Sequence, residues 1–364
     1  MRRMVVLVVV GLVALGGCGP GPAPAPTEAP TPTAPPVPRT VRLMTHDSFD
    51  VSEEVLAAFE AQHNAKVEVL QAGDAGVVLN QAILSADNPL ADVLYGVDNT
   101  LLSRALKAGI LEPYASPLLD EIPDALELDP QQRALPVDYG DVCLNYDKGW
   151  FAGHDLPPPA NLEDLVKPEY RSLTVVENPA TSSPGLAFLL ATVGHFSETG
   201  ATTYLDYWAD LRKNDVLVVD GWEDAYYGQF TYGSGGEGDR PIVVSYASSP
   251  PAEVYFAERP LEEAPTAAVV SDGSCFRQIE FVGILKGGQN RDLTEAWVDF
   301  MLDQAFQEDI PLHMFMFPAN QDAALPDAFA RFALVPAHPA EVDYTAIETN
   351  REAWIEAWAG VVVR

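Results

Sequence analysis

Short apolar runs and longer amphipathic stretches alternate along the chain from Val41 onward. The short runs predict strands, and apolar residues at helical spacing predict helices between them. Such an alternation is typical of a parallel sheet covered by helices. The first series has predicted strands at 41–44, 67–70 and 92–95. Its first predicted helix starts at a capping-box pair, Asp50 and Glu53. The next two predicted helices span 76–86 and 99–107, and Gly109 stops the last of them.

A second series of the same kind begins near residue 142. Its predicted strands are 142–146, 174–176, 216–219 and 242–246, and its predicted helices follow Pro184 and span 202–212. Single hydrophobic cores stop growing near about 250–300 residues. A chain of 364 residues with two such series therefore predicts two α/β lobes.

The C-terminal third carries a long alternating strand at 276–285, followed by helices rich in large aromatic residues. These aromatic residues are Trp297, Phe300, Phe306, Trp354 and Trp358. Because a terminal tail needs far less apolar material, we expect this third to complete the first lobe. The predicted organisation is 41–140 plus 276–364 for the first lobe and 141–275 for the second.

The N-terminus has the pattern of an export signal. Arg2 and Arg3 precede an apolar run over 4–15, which is shorter than the roughly 20 residues of a spanning helix. The residues around Cys18 resemble a bacterial lipoprotein signal, in which this cysteine becomes the acylated first residue. Residues 1–18 would then be the signal, and the proline-rich stretch 19–40 an extended tether. We expect an exported protein, lipid-anchored to the outer face of the cytoplasmic membrane; a secreted protein whose signal contains a cysteine is the alternative.

Two further cysteines, Cys143 and Cys275, remain in the exported body. An oxidising compartment allows such a pair to form a disulfide. The sequence does not give the distance between them, so two separately buried thiols are the alternative.

The charge balance narrows the choice of partner. The chain has 53 acidic and 21 basic residues, a net charge of −32, while 48% of its residues are hydrophobic. That much apolar material supports folded cores. The acidic excess repels phosphate backbones, so we expect no nucleic-acid partner, and it suits a cationic small molecule. Solubility alone is the alternative explanation.

Polar side chains follow the predicted strands, where ligands of α/β sheets bind. Hydroxyl groups stand before Pro184, a residue suited to the first turn of a helix, and such a helix start can hold an anion. The candidate ligand-binding residues after the predicted strands are His46, Asp47 and Ser48; Asp74, Ala75 and Gly76; Asp98; Thr181, Ser182 and Ser183; Trp222 and Tyr226; and Tyr246 and Ser249.

Seven segments, in order, resemble those of the thiamine-binding proteins of bacterial ABC importers. They are 45–49, 96–99, 138–140, 181–185, 221–226, 245–250 and 317–320. The resemblance runs from about residue 41 to 358. It implies a type II periplasmic-binding-protein fold, in which two α/β lobes joined by hinge strands close on thiamine, thiamine phosphate or thiamine diphosphate. It also implies a monomer without a cofactor, which delivers its ligand to a membrane permease and its ATPase.

The resemblance assigns roles to individual residues. Trp222, Tyr226 and Tyr246 would enclose the rings of the vitamin, and a cation beside an aromatic face gains about 0.5–2 kcal/mol. The hydroxyl residues 181–183 would receive the phosphate end, with 74–76 beside it. Either Asp47 or Asp98 would balance the positive ring or accept a hydrogen bond from the aminopyrimidine.

Three positions depart from the family pattern. His46 stands where the family usually has tyrosine, and Phe315 stands where it has tryptophan. Pro251 and Ala252 replace an aromatic residue expected after the Ser-Pro pair, and Tyr255 is the nearest aromatic candidate. The preferred ligand form therefore stays open, and a related pyrimidine or another aromatic cation is an alternative.

Two other functions compete with vitamin binding. Adjacent tyrosines, Tyr226 and Tyr227, together with His46, are a candidate set for ferric ion. A lipid-anchored hydrolase is less favoured, because the sequence lacks H-E-x-x-H and G-x-S-x-G motifs. The glycine-rich stretch 233–238 precedes a predicted strand instead of linking a strand to a helix, which predicts a surface loop. We therefore expect a binding protein and not an enzyme, with hinge strands near 138–144 and 275–280.

Overall fold

The computed structural model describes residues 38–363. The predicted signal, Cys18 and most of the predicted tether lie outside these residues. None of the helices within 38–363 is both long and apolar enough to cross a membrane.

One mixed sheet organises the described chain. Its order is β2-β1-β3-β10-β5-β8-β6-β7, and in addition β4 pairs with β10, and β9 and β11 pair with β5. The strands are β1 (Arg39–Thr45), β2 (Ala65–Gln71), β3 (Val93–Asp98), β4 (Leu111–Glu112), β5 (Leu135–Asp147), β6 (Thr174–Glu177), β7 (Leu217–Val219), β8 (Ile242–Tyr246), β9 (Thr266–Val269), β10 (Phe276–Leu285) and β11 (Phe317–Pro318).

Helices cover this sheet and fill the connections. The α-helices are α1 (Glu53–His63), α2 (Ala75–Leu84), α3 (Leu102–Ala108), α4 (Lys148–Ala152), α5 (Ser183–Phe196), α6 (Tyr204–Lys213), α7 (Ser249–Tyr255), α8 (Arg291–Leu302), α9 (Gln304–Gln307), α10 (Ile310–His313), α11 (Asp327–Phe332) and α12 (Tyr344–Val362). Short 3-10 turns span Pro117–Glu121, Asp124–Leu126, Leu162–Val166 and Pro168–Tyr170, and a π-helix spans Asp224–Gln229.

Local capping chemistry fixes several helix ends. Ser182 accepts a hydrogen bond from the Gly185 amide and caps α5, and Gly109 ends α3 with a φ of 65°. The capping box expected at Asp50 is wrong. Ser52 is the N-cap of α1 and accepts from the Val55 amide, so the helix begins later than predicted.

Two long antiparallel strands join the parallel halves of the sheet. β1 pairs in parallel with β2 and β3, and β6 pairs in parallel with β7 and β8. Between these halves, β10 runs antiparallel to both β3 and β5. Each long strand contributes buried residues to both hydrophobic cores. The chain therefore passes between two lobes along β5 and β10.

The two cores divide the C-terminal third between them. Trp297 and Phe306 are fully buried in the first core, beneath β1, β3 and β10. Trp354 and Trp358, on α12, belong to the second core instead. The Trp358 ring meets that of Trp208 on α6 edge to face, with centroids 5.6 Å apart. Our expectation that all of 276–364 completes the first lobe is therefore wrong for α12, because its aromatic face is buried against α6.

A disulfide joins Cys143 and Cys275, whose Cα atoms lie 4.4 Å apart. Cys143 lies in β5, and Cys275 directly precedes β10. Both residues are fully buried. The neighbouring pair Phe276 and Val142 is in register across the two strands, which places the cysteines opposite each other. The crosslink therefore ties together the two strands that run between the lobes.

Candidate functional site

A cleft of about 1090 Å³ opens between the two lobes at the strand ends. This volume suits a small organic ligand. Thirteen of the fifteen ligand-binding residues predicted from the sequence line it. They are His46, Asp47, Ser48, Asp74, Ala75, Thr181, Ser182, Ser183, Trp222, Tyr226, Tyr246, Ser249 and Phe315.

The other two predicted residues, Asp98 and Gly76, do not line the cleft. Asp98 is fully buried at the end of β3. Its carboxylate accepts hydrogen bonds from the backbone and hydroxyl of Thr100 and, at 2.5 Å, from Gln278 Nε2. Burial raises the pKa of Asp98 to about 6. Asp98 therefore does not reach the cleft wall, where Gln278 lies instead.

An aromatic cluster forms one wall of the cleft. The rings of Trp222 and Tyr226 stack with centroids 4.9 Å apart and an interplanar angle of 22°. Trp222 Nε1 donates to Ser245 Oγ at 2.9 Å, and the Tyr226 hydroxyl donates to the Glu253 carboxylate. These bonds satisfy the polar edges of both rings. The apolar ring faces are thereby held in place at the cleft wall.

The π-helix Asp224–Gln229 and the glycine-rich turn after it position this cluster. A Cβ atom added at Gly233 would lie 2.2 Å from the Tyr226 carbonyl oxygen, so only glycine allows this approach. Gly233 and Gly235 also line the cleft. The stretch 233–238 is a turn and loop with residues 235–237 exposed, as the sequence predicted, and it also borders the site.

A shelf of hydroxyl groups lies at the start of α5, opposite the start of α2. Thr181 Oγ1 donates to the Asp220 carbonyl at 2.7 Å. Ser183 Oγ donates to Asp74 Oδ2 at 3.2 Å, which is a direct hydrogen bond between the two lobes. Asp74 also caps α2 by accepting from the Gly76 amide. Two helix starts therefore meet across the cleft, where amide dipoles favour negative charge.

The floor of the cleft is a buried network of ionisable groups. His46 Nε2 lies 3.2 Å from Glu280 Oε1. Tyr95 donates its hydroxyl to Asp138, and the same oxygen lies 3.3 Å from Glu280 Oε2. A Cβ atom at Gly96 would lie 2.0 Å from His46 Cδ2, and Gly96 has a φ of +84°. Glycine at this position therefore leaves space for the histidine that departs from the family pattern.

The members of this network shift one another's pKa values. Burial opposes charge on His46, but Glu280 more than offsets it and raises the His46 pKa. Burial likewise opposes charge on Glu280, but His46 lowers its pKa below the ordinary value. Burial and the nearby Glu280 charge raise the pKa of Asp138 well above its usual range.

Phe315 approaches the cleft from the first lobe and meets Phe256 of the second. Their ring centroids lie 5.4 Å apart in an edge-to-face arrangement. Tyr255, the aromatic residue considered from the sequence, is half exposed and does not line the cleft. Phe256 therefore supplies the aromatic side chain expected after the Ser-Pro pair.

The described residues around the cleft carry an unbalanced set of charges. The carboxylates are Asp47, Asp74, Glu253, Glu258 and Glu280, and the imidazoles are His46 and His313. No lysine or arginine is among the described lining residues. Such a set of side chains attracts cations.

The tyrosine pair considered for ferric ion has other contacts. Tyr226 is hydrogen-bonded to Glu253 and stacked on Trp222, and Tyr227 meets both rings edge-on. Within 38–363, no group of three or more histidine, cysteine, aspartate or glutamate side chains is placed to hold a metal ion.

The two lobes, the connecting strands and the intervening cleft define a two-lobed binding protein. The family model of bacterial extracellular solute-binding proteins matches residues 88–335. The chain therefore belongs to that family.

Relatives and solved structures agree with this assignment. The thiamine-binding periplasmic protein of Salmonella typhimurium is 30% identical over 327 residues, covering 88% of this chain and 92% of the relative. The protein of the same name from Escherichia coli is 29% identical over 326 residues, with the same coverage. The structure of a periplasmic thiamin binding protein superimposes with a TM-score of 0.74 at 26% identity, covering 91% of this chain and 100% of the other.

The ferric binding protein from Campylobacter jejuni shares the fold, with a TM-score of 0.72 at 17% identity over 88% of this chain and 99% of that one. Together with the thiamin-binding structure, this likeness confirms the predicted type II periplasmic-binding-protein fold.

Proposed function

We propose that this protein binds thiamine or its phosphates in the cleft and delivers them to the permease and ATPase of an ABC importer. The observation that carries the proposal is the aromatic wall of Trp222 and Tyr226 in a cleft whose described lining has no lysine or arginine. Thiazolium is a permanent aromatic cation, which such a wall stabilises. The relatives named for thiamine binding support the same ligand.

The proposed mechanism is non-covalent capture. The open protein admits the ligand, the lobes close about β5 and β10, and the permease recognises the closed form. The hydrogen bond from Ser183 to Asp74 would form on closure, because it joins residues of opposite lobes. In this proposal the lobes comprise 41–140 with most of 276–364, and 141–275 with α12.

The proposal also includes the position of the protein in the cell. An exported monomer, acylated at Cys18 and held by the proline-rich tether, would present its cleft at the outer face of the cytoplasmic membrane. Such a location keeps the captured ligand beside its permease. Metabolic labelling with a fatty-acid analogue, lost in a Cys18→Ala variant, tests the anchor.

Native mass spectrometry of the protein as purified should reveal one retained small molecule with the mass of thiamine or one of its phosphates. Calorimetric titration of ligand-free protein should then give one site per chain. An absence of heat with all three thiamine forms, together with binding of ferric ion, would overturn the proposal in favour of the metal alternative.

A further inference from the structure

Glu253, in α7, places its carboxylate between the aromatic cluster and β9. The Tyr226 hydroxyl donates to Glu253 Oε1, and Thr266 Oγ1 donates to Oε2 at 2.6 Å. Both carboxylate oxygens of Glu253 are therefore fixed by hydrogen bonds, and Glu253 lines the cleft. Hydroxyl donors orient the carboxylate without neutralising its charge.

The other carboxylates of the cleft are placed differently. Glu280 is paired with His46 in the floor, and Asp74 and Asp47 accept hydrogen bonds beside the first-lobe loops. Glu258 is exposed at the rim. Glu253 is the one among them, in the described structure, that is hydrogen-bonded to a member of the aromatic cluster.

We infer that Glu253 is the carboxylate that recognises the positive charge of the ligand, so that it determines the preference of this cleft for cationic rings. The inference rests on the proposed function. A negative charge beside the Tyr226 phenol also strengthens the attraction of that ring's face for a cation. From the sequence alone, Asp47 or Asp98 is the candidate for this role.

Recognition by Glu253 would make ligand affinity depend on pH. Burial raises the pKa of Glu253 to about 7, against the opposing hydrogen bonds from Thr266 and Tyr226. Asp147 raises this pKa further, and Lys148 lowers it. The group is therefore ionised above about pH 7 and neutral below it. Cation affinity should fall as the pH falls through that value.

The ionisable groups around Glu253 do not oppose this expected fall of cation affinity at low pH. Tyr226 and Tyr227 have raised pKa values, chiefly from burial, so both stay neutral. Asp327 and Arg331 of α11, which packs against α7, pair with each other at 3.3 Å. The imidazoles His46 and His313 also line the cleft, and His46 is paired with Glu280. The test must therefore remove Glu253 alone.

Calorimetric titration of thiamine into the ligand-free full chain, at about pH 6 and about pH 8, tests the inference. Affinity scales with the ionised fraction, so the wild type should bind about threefold to tenfold more weakly at the lower pH. Glu253→Gln should bind severalfold more weakly at the higher pH and lose most of the pH dependence. Glu263→Gln, which removes an exposed carboxylate from the loop after α7, should keep the wild-type ratio.

The outcomes separate this inference from the proposed function. If the wild type binds thiamine with equal affinity at both pH values, or if Glu253→Gln keeps the wild-type ratio, Glu253 is not the recognition group and the proposed function stands. If the wild type binds no thiamine at either pH, both fail. Thermal unfolding of Glu253→Gln and of Glu253→Asp distinguishes misfolding from lost recognition, because the aspartate variant retains the charge and should keep part of the pH dependence.

Discussion

Replacing Trp222 with alanine should weaken thiamine binding at least tenfold, which corresponds to about 1.4 kcal/mol. The indole stacks on Tyr226 and donates to Ser245 Oγ. Its removal deletes a ring face available to the ligand and leaves the Ser245 hydroxyl without this donor. Losing a cation–π contact in a shielded cleft costs about 2 kcal/mol. Isothermal titration calorimetry at about pH 8 measures the change.

Two variants control for indirect effects of this substitution. Tyr255→Ala removes an aromatic side chain that lies near the cleft without lining it, and it should leave the affinity within about twofold. Trp222→Phe keeps a ring face and should recover part of the lost affinity. An unchanged affinity in a folded Trp222→Ala protein would remove this residue from the site.

Local sequence patterns predicted the strands of this fold well. The predicted bounds of β8 and β10 coincide with the structure, because β8 is a short apolar run and β10 a long alternating one, each with clear limits. The residues after β1 and those before α5 line the cleft, as expected because ligands of α/β sheets bind at the carboxyl ends of the strands. Strand bounds and strand-end residues depend on local pattern, which a single sequence contains.

Three features depend on contacts between distant parts of the chain, which local sequence patterns do not contain. Asp98 follows a strand, as a cleft residue should, but β10 runs antiparallel beside that strand, and Gln278 on β10 binds its carboxylate. Glu253 resembles an ordinary surface residue of a short helix until Tyr226 and Thr266 are placed against it. The aromatic face of α12 suits either core, and only packing against α6 assigns it to the second.

The disulfide gives the largest stability effect that we expect. Replacing both Cys143 and Cys275 with alanine should lower the free energy of unfolding by about 2–5 kcal/mol. The crosslink closes a loop across a sequence separation of 132 residues, and the entropy removed from the unfolded chain grows with loop length. Urea unfolding of the double variant and of the wild type measures the difference.

Reduction supplies the control for this comparison, since wild-type protein unfolded in excess thiol should approach the stability of the double variant. Equal stability of the oxidised wild type and the double variant would contradict the prediction. Thiamine affinity should change less than stability, because neither cysteine lines the cleft. However, the bond ties β5 to the start of β10, the strands about which the lobes would move. If it limits opening, the double variant should also release thiamine faster, which stopped-flow measurement of intrinsic tryptophan fluorescence would detect as a larger dissociation rate.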